Sequence, residues 1–262
     1  MIDPRASRAW SADAELYERG RPGFPPEAVQ QALDGLGLGP GARVLDLAAG
    51  TGKLTRALVS AQLDVIAVEP LQSMRALFAS ACPGVAVLDG RAEGIPLSDG
   101  CVDAVFVGQA VHWFDVPAAC LEIARVLRSR GGVALLRNDW LTVEEAPSWL
   151  AELKAVLGQH APGEEPDRSP YGGGRWQLAI SDSAVFEELE SANVEHAETL
   201  AVDIVLAQIA SWSFFDASGS DRAGLMRESE RVLRAHAGLG AEATLTVPYR
   251  TQVRWARRAE RA

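Results

Sequence analysis

Long apolar runs are missing from this chain of 262 residues. No run approaches the roughly 20 residues that a membrane-spanning helix needs. Residues 1–20 carry acids where a signal peptide would have its apolar segment. The sequence therefore predicts a cytoplasmic protein that does not insert into a membrane.

Positive charge and cysteine are also scarce. The chain has 25 Lys and Arg against 35 Asp and Glu, a net charge of −10, whereas nucleic-acid-binding proteins present basic faces. Cys82, Cys101 and Cys120 are odd in number and widely spaced, so they form neither a metal pattern nor an evident disulfide framework. We expect reduced thiols, no bound metal and no nucleic-acid partner.

The chain does contain short apolar segments that alternate with helical patterns. The predicted strands cover residues 42–48, 63–69, 85–88, 102–108 and 132–137. Between the last two, Val116, Cys120, Ile123 and Leu127 recur at helical spacing. This alternation predicts an α/β fold with a parallel sheet that is covered on both faces. Ligands of such sheets bind at the carboxyl ends of the strands.

The pattern changes after about residue 140. A helix is predicted near residues 147–158, and the polar, glycine- and proline-rich residues 158–176 are predicted to form a loop. Residues 193–204 and 243–254 alternate as strands do, and residues 206–236 carry mostly helical patterning. No linker separates an independent domain, so we predict a single domain.

The stretch VLDLAAGTGKLT, residues 44–55, runs from a strand through an acid and glycines into a helix. A dinucleotide-binding turn carries G-x-G-x-x-G, but here Gly50 and Gly52 are followed by Thr55. Asp46 would oppose a pyrophosphate and suits a ligand with an ammonium or sulfonium group. Glu69, at the end of the second strand, can accept both hydroxyls of a ribose. Together these residues favour S-adenosylmethionine over a nicotinamide cofactor.

At these residues the chain resembles the class I S-adenosylmethionine-dependent methyltransferases. It is most similar to their small-molecule branch, which includes the ubiquinone/menaquinone-biosynthesis and trans-aconitate methyltransferases. The family's first motif is a strand, an acid and G-x-G-x-G. Asp46, Ala48, Gly50 and Gly52 match it, with alanine in place of the first glycine. Glu69 matches the acid of the second motif.

Four further segments carry the resemblance. Met74 stands where the family often lines the adenine pocket, and Ala92 and Glu93 of RAEGIP would border the adenine. GQAVHWFD, residues 108–115, resembles the segment near the reactive methyl group, and LTVPYRTQVRWARR resembles the family's last strand.

The N-terminal YERGRPGFP, which contains Tyr17 and Arg21, resembles a segment that folds over the cofactor in this branch. The resemblance implies cofactor contacts for both residues. It also implies that Gln109 lies beside the cofactor and that Gln109 and His112 stand where the acceptor arrives.

The resemblance implies a Rossmann-like, doubly wound, mainly parallel seven-stranded sheet with helices on both faces and a C-terminal helical cap. We expect one methyltransferase domain over residues 1–262. Residues 1–40 would form a lid and helix, 41–140 the cofactor-binding core, and 141–262 a substrate cap and the last two strands. The expected reaction is an in-line transfer of methyl to a small-molecule acceptor, with O-methylation favoured, by a monomer or homodimer.

Two other functions are compatible with parts of this pattern. An NAD(P)-dependent Rossmann oxidoreductase is disfavoured by Asp46 and Thr55, and an S-adenosylmethionine-binding protein without activity has no distinguishing residue. Asp46 also suits a helix cap. His112 is either a general base or part of an aromatic wall with Trp113 and Phe114. We favour the wall, because methyl transfer depends mostly on alignment.

Several other residues have open roles. Tyr171, Arg175 and Trp176 in the predicted loop are either substrate contacts or ordinary surface, and a carboxylate acceptor would pair with Arg137 or Arg175. We expect the C-terminal arginines to mark a strand end that runs into a solvated tail. They are Arg250, Arg254, Arg257, Arg258 and Arg261.

Overall fold

The computed structural model describes residues 14–140, 146–160, 175–211, 221–237 and 243–259. Their strands form a seven-stranded sheet in the order β3-β2-β1-β4-β5-β7-β6. The strands are β1 (Arg43–Leu47), β2 (Asp64–Val68), β3 (Ala86–Leu88), β4 (Val102–Gly108), β5 (Leu127–Asp139), β6 (Glu190–Ala201) and β7 (Thr244–Arg257).

Helices separate most of the strands along the chain. The helices are α1 (Ala14–Gly20), α2 (Pro26–Leu36), α3 (Lys53–Ser60), α4 (Gln72–Ala81), α5 (Val116–Val126), α6 (Ser148–His160), α7 (Arg175–Asp182), α8 (Val202–Ala210) and α9 (Arg222–Ala237). A short 3-10 helix, Val111–Trp113, follows β4. None of the helices within the described ranges is long and apolar enough to cross a membrane.

The central strands are parallel, as the alternation of strands and helices predicts. β1 pairs in parallel with β2 and β4, β2 with β3, and β4 with β5. The strand order reverses between β1 and β4, and such a switch point opens a crevice at the carboxyl ends of the strands. The predicted seven-stranded, mainly parallel, doubly wound sheet is confirmed.

Period-two alternation places apolar side chains on both faces of this sheet. Leu45, Val105 and Leu135 pack on one face with α5 and α7. Val44 and Phe106 pack on the other face with α2 and α3. Because both faces are buried, the strands read as continuous apolar runs in the sequence.

The chain divides into two compact units, one made of residues 23–138, 167–194 and 251–262 and the other of residues 1–22, 139–166 and 195–250. The second unit has its own apolar core from α6, α8, α9 and the start of β7. Within it Tyr249 is buried and donates its hydroxyl to Gln208 Oε1 at 2.9 Å. The expectation of one domain stays a prediction.

Three local expectations differ from the structure. β5 begins at Leu127 rather than at residue 132, because an irregularity in its pairing with β4 accommodates Arg130 at φ 64°. The strand expected over residues 193–204 ends at Ala201, and α8 starts at Val202 with Asp203 in its first turn, where an acid favours the helix N-terminus. The predicted loop over residues 158–176 gives way to α6 up to His160 and to α7 from Arg175.

The turn after β1 contains a testable backbone strain at Ala48, whose φ is 59°. The left-handed conformation costs alanine roughly 1–2 kcal/mol more than it costs glycine. Glycine offsets part of this difference, because it has more conformational freedom in the unfolded chain. Ala48→Gly should therefore raise the free energy of unfolding by roughly 0.5–1 kcal/mol, measured by urea denaturation.

Ala61→Gly is the matched control, since Ala61 has an ordinary φ of −80°. This second variant should be less stable than the parent protein. If both variants lose stability alike, Ala48 is not strained.

Candidate functional site

The turn that follows β1 lies at the switch point of the sheet. Gly50 and Gly52 have φ values of 59° and 88°. A Cβ at Gly52 would lie 2.5 Å from Cys82 Sγ, so packing against the end of α4 requires glycine there. A Cβ at Gly50 would meet no atom within 4 Å. The Gly50 side of the turn is thus open to a ligand, whereas Gly52 serves the packing of the protein itself.

Asp46, the fourth residue of β1, is buried beneath this turn. Its Oδ2 accepts a hydrogen bond of 2.5 Å from Thr55 Oγ1, in the first turn of α3. Its Oδ1 is buried and has no hydrogen-bond partner among the described residues. Burial raises the pKa of this carboxyl to about 7, and the nearby Glu69 carboxylate adds to the rise. No pattern in the sequence marks Thr55 as the partner of Asp46.

Glu69 follows β2 and is also buried. Its Oε2 accepts from Gly50 N at 2.9 Å, and its Oε1 accepts from Leu71 N at 2.8 Å. Burial raises its pKa, which these two backbone bonds and Arg75 partly offset. A carboxylate offers about four acceptor positions. Two backbone bonds therefore leave room for ligand hydroxyls.

The residues expected beside an adenine lie on separate segments of the same unit. Met74 is buried in α4, and Ala92 is buried in the apolar cluster on the α5 side of the sheet. Glu93 is half-buried, and its Oε1 accepts from the backbone N of Asp115 at 2.9 Å. Glu93 thereby connects the segment after β3 to the N-cap of α5.

Gln109 follows β4 and has a left-handed backbone, with φ 59°. Its side-chain Nε2 donates to the backbone oxygen of Asn138 at 2.8 Å. Asn138 in turn donates to Gly23 O and accepts from Thr251 Oγ1, both at 2.6 Å. Asn138 thus orients Gln109, and its own side chain is held by two distant parts of the chain, Gly23 and Thr251. Asn138 was not predicted, because no local sequence pattern marks it.

His112 lies in the 3-10 helix after β4 and lines a cleft. Its ring centroid is 4.8 Å from that of Trp113. The cleft also contains Gln109, Arg137, Trp176 and Arg254. The structure therefore brings Gln109, His112 and Arg254 to one cleft, and the expected place of Gln109 and His112 beside the acceptor stays a prediction.

The C-terminal arginines mark a strand end, as expected, but the solvated tail expected after that strand does not begin before Arg258. β7 continues to Arg257, whose Nη2 donates to Gly35 O at 3.3 Å. Arg258 Nη1 donates to Leu127 O at 3.0 Å, and Arg250 pairs with Glu195 at 2.8 Å. The strand is longer than its alternation indicated, so Arg257 lies within β7 and Arg258 directly after it. Arg261 lies outside the described residues.

Trp176 is buried in α7 rather than placed in a loop. Tyr171 lies outside the described residues, as does the side chain of Arg175. Tyr17 belongs to α1, and its side chain is likewise not described. Arg21 Nη2 donates to Ser211 O at 3.2 Å, within the second compact unit. The expected contacts of Tyr17 and Arg21 with a cofactor stay predictions.

The residues at the ends of β1 and β2 fit S-adenosylmethionine. A buried carboxylate oxygen without a partner suits a cationic ligand, because an unpaired buried polar atom is unfavourable. Glu69 keeps acceptor positions for a ribose, and the space beside Gly50 admits a ligand close to the backbone.

Comparisons with known proteins agree with this geometry. The family model of the methyltransferase domain matches residues 45–135. The uncharacterized methyltransferase Rv3342 of Mycobacterium tuberculosis is 37% identical over 246 residues, which are 94% of this chain and 93% of that protein. A proposed type II methyltransferase from Anaeromyxobacter dehalogenans superposes with a TM-score of 0.70 at 26% identity, covering 90% of this chain and 97% of that one.

Two relatives with assigned activities match shorter parts of the chain. Demethylmenaquinone methyltransferase of Beutenbergia cavernae is 35% identical over 127 residues, 48% of this chain and 50% of that protein. Malonyl-[acyl-carrier protein] O-methyltransferase of Methylococcus capsulatus is 37% identical over 112 residues, 40% of this chain and 41% of that protein. Fold, glycine turn and relatives agree, and the chain belongs to the class I S-adenosylmethionine-dependent methyltransferases.

Proposed function

We propose that this enzyme methylates a small-molecule acceptor and that an oxygen atom receives the methyl group. The observation that carries the proposal is the pair of buried carboxylates, Asp46 and Glu69, beneath an open glycine turn at the switch point. The O-methyltransferase among the relatives supports oxygen as the acceptor atom. The protein would act in the cytoplasm as a monomer or homodimer.

On the cofactor side, Asp46 Oδ1 would face the cationic methionine portion, and Glu69 would accept the ribose hydroxyls. The positive φ of Ala48 and Gly50 turns the backbone so that Gly50 is open to the ligand. Met74 and Ala92 would form apolar walls for the adenine, with Glu93 at its edge. Gly52 would contribute through the packing of the turn.

Tyr17 and Arg21 would complete the cofactor site by contacts made from the N-terminal segment. The support for this step is the resemblance of YERGRPGFP to the corresponding segment of the family.

When bound, the sulfonium supplies a methyl group that is already activated for displacement. The chain's own residues then hold the acceptor in line and exclude water, which provides most of the acceleration. Gln109 is fixed by Asn138 and would position the acceptor beside His112. We assign His112 to the wall of the acceptor cleft, because its ring packs on Trp113.

Binding of the cofactor product tests the assignment of Glu69. Glu69→Ala should weaken binding of S-adenosylhomocysteine by roughly 1.5–3 kcal/mol, the range for hydrogen bonds to a charged group, in titration calorimetry. Asp64→Ala is the control, because Asp64 is exposed at the opposite end of β2; its affinity should match that of the parent protein. Tight binding of NAD together with no binding of S-adenosylhomocysteine would contradict the proposed function.

The pH dependence of stability tests the environment of Asp46. Its pKa is raised from 3.8 to about 7 by burial. The native state therefore keeps a proton that the unfolded chain loses between these values, and stability falls as pH rises through this window. The asparagine side chain has no proton to lose in this range. The free energy of unfolding of Asp46→Asn, relative to that of the parent protein, should therefore rise by about 2–3 kcal/mol between pH 5 and pH 8.

Urea denaturation at both pH values measures the difference. Asp64→Asn is the control, because the Asp64 side chain is 66% exposed, and it should follow the parent protein. Parallel curves for Asp46→Asn and the parent would show that Asp46 is ionised in the native protein at both pH values.

The pH profile of methyl transfer tests His112. If His112 lines the cleft, His112→Gln should keep the rate within roughly tenfold and leave the acid side of the profile unchanged. A general base would have to be neutral, and its removal would lower the rate roughly 10²–10⁴-fold and abolish the acid-side loss. That second pattern would assign proton removal to His112. His236→Gln, which replaces a histidine paired with Glu152, is the control.

A further inference from the structure

The segment that follows β3, residues 90–97, lies at the carboxyl ends of the strands beside Glu69. Glu69 N donates to the backbone oxygen of Leu88, the last residue of β3, at 3.0 Å. A Cβ at Gly90 would lie 2.5 Å from Pro96 Cδ, so the segment folds back on itself. Ligands of doubly wound sheets bind at these strand ends. The position of the 90–97 segment therefore affects the shape of the cofactor site.

Arg125, in the last turn of α5, holds this segment by its backbone. Its Nη2 donates to Ile95 O at 2.8 Å, and its Nη1 donates to Leu97 O at 2.7 Å. The same Nη1 donates to Asp99 Oδ1 at 2.8 Å. One guanidinium group thus fixes two carbonyl groups of the segment and the acid that follows it.

Glu122, three residues earlier in α5, binds the same part of the segment. Its Oε2 accepts from Ile95 N at 2.9 Å. It also pairs with Arg125 through two bonds of 2.8 Å, from Nε to Oε1 and from Nη2 to Oε2. These bonds lower the pKa of the Glu122 carboxyl and raise the pKa of the Arg125 guanidinium, so both groups stay charged. Both backbone polar groups of Ile95 are thus bonded to one ion pair.

This ion pair differs from the exposed pairs of the surface. The side chains of Glu122 and Arg125 are only 24% and 30% exposed, and Ile95 is buried. At the other end of α5, Asp115 N donates to Glu93 Oε1 at 2.9 Å. Charge-assisted hydrogen bonds are short and directional. They therefore tie the segment to both ends of one helix and leave its backbone little freedom.

We propose that Glu122 and Arg125 are a positioning pair that sets the preference of this enzyme for adenine as the base of its cofactor. The pair acts through the backbone of the 90–97 segment, which carries Ala92 and Glu93. Adenine presents an amino donor and a ring-nitrogen acceptor, whereas hypoxanthine presents an oxygen acceptor and an N–H donor at the same places. The two bases have nearly the same shape, so only donors and acceptors held in fixed positions distinguish them.

This inference rests on the proposed function, because Ala92 and Glu93 border an adenine only if the cofactor is S-adenosylmethionine. It goes further in assigning a role to two residues of α5 that do not themselves contact the base. A pair that only stabilised the fold would weaken every ligand alike when removed. A positioning pair would instead change the ratio of two affinities.

Titration calorimetry with the full-length protein provides the test, and the probes are S-adenosylhomocysteine and S-inosylhomocysteine. The parent protein should bind the adenosyl compound at least about tenfold more tightly, because mismatched hydrogen bonds disfavour the other base. In Arg125→Ala and Glu122→Ala this preference should fall to roughly threefold or less, mainly through weaker binding of the adenosyl compound.

Two conservative variants and one control complete the design. Arg125→Lys keeps the charge and Glu122→Gln keeps an acceptor oxygen, so each should retain part of the preference and serves if an alanine variant does not fold. Arg128→Ala is the matched control, because Arg128 also pairs with an acid, Asp103, at 2.7 Å. This control should keep the full preference. Circular dichroism shows whether each variant is folded.

Hydrogen exchange of the ligand-free protein tests the contact itself. The Ile95 amide should exchange at least about tenfold faster in Glu122→Ala than in the parent protein, because its acceptor is lost. Exchange at this amide should be unchanged in Arg128→Ala. An unchanged rate in Glu122→Ala would refute the inference.

The outcomes separate this inference from the proposed function. If both probes weaken equally in the folded variants and the preference is kept, the pair only supports the fold and the inference is refuted. A parent protein that binds both probes alike also refutes it, while the proposed function stands. If the parent protein binds neither probe, the proposed function fails and the base preference fails with it.

Discussion

The hydrogen bond between Gly50 N and the Glu69 carboxylate is the constraint on which the site depends. It joins the turn after β1 to the residue after β2, so the two strand ends are held together. Leu71 N occupies the other carboxylate oxygen and fixes the start of α4. The same carboxylate that would receive a ribose thus also shapes the turn above it. The two backbone N–H donors explain why an acidic side chain is tolerated in this buried position.

Asp46 differs from Glu69, because only one of its two carboxyl oxygens accepts a hydrogen bond from a described residue. Thr55 satisfies one oxygen, and the other stays buried without a described partner. Such an arrangement lowers the stability of the ligand-free protein, because a buried carboxylate without a full set of partners is unfavourable. A cationic ligand would restore the balance. Binding of such a ligand would therefore stabilise the protein relative to its ligand-free form.

The alternation of strands and helices in the sequence predicts both the fold and the place of Asp46 and Glu69 in it. Parallel strands place their carboxyl ends at one edge, so Asp46, Glu69 and Gln109 meet there once the strands are recognised. Asn138 and Arg254 were not predictable in this way. Asn138 acts through Gly23 and Thr251, each more than 100 residues away along the chain. The position of the Arg254 guanidinium depends on its contact with Trp176. Trp176 belongs to α7, which was predicted as part of a loop because glycines precede it.

Two residues without glycine's freedom, Ala48 and Gln109, occupy the left-handed region directly after neighbouring strands. This shared backbone state restricts the amino acids that evolution can place there. Glycine, asparagine and aspartate adopt it readily, whereas valine, isoleucine and threonine are nearly excluded by their branched Cβ. Replacing Ala48 or Gln109 with one of these branched residues would strain the backbone whether or not a ligand is bound. For these two positions of the chain, backbone geometry alone therefore limits which substitutions leave the turn unstrained.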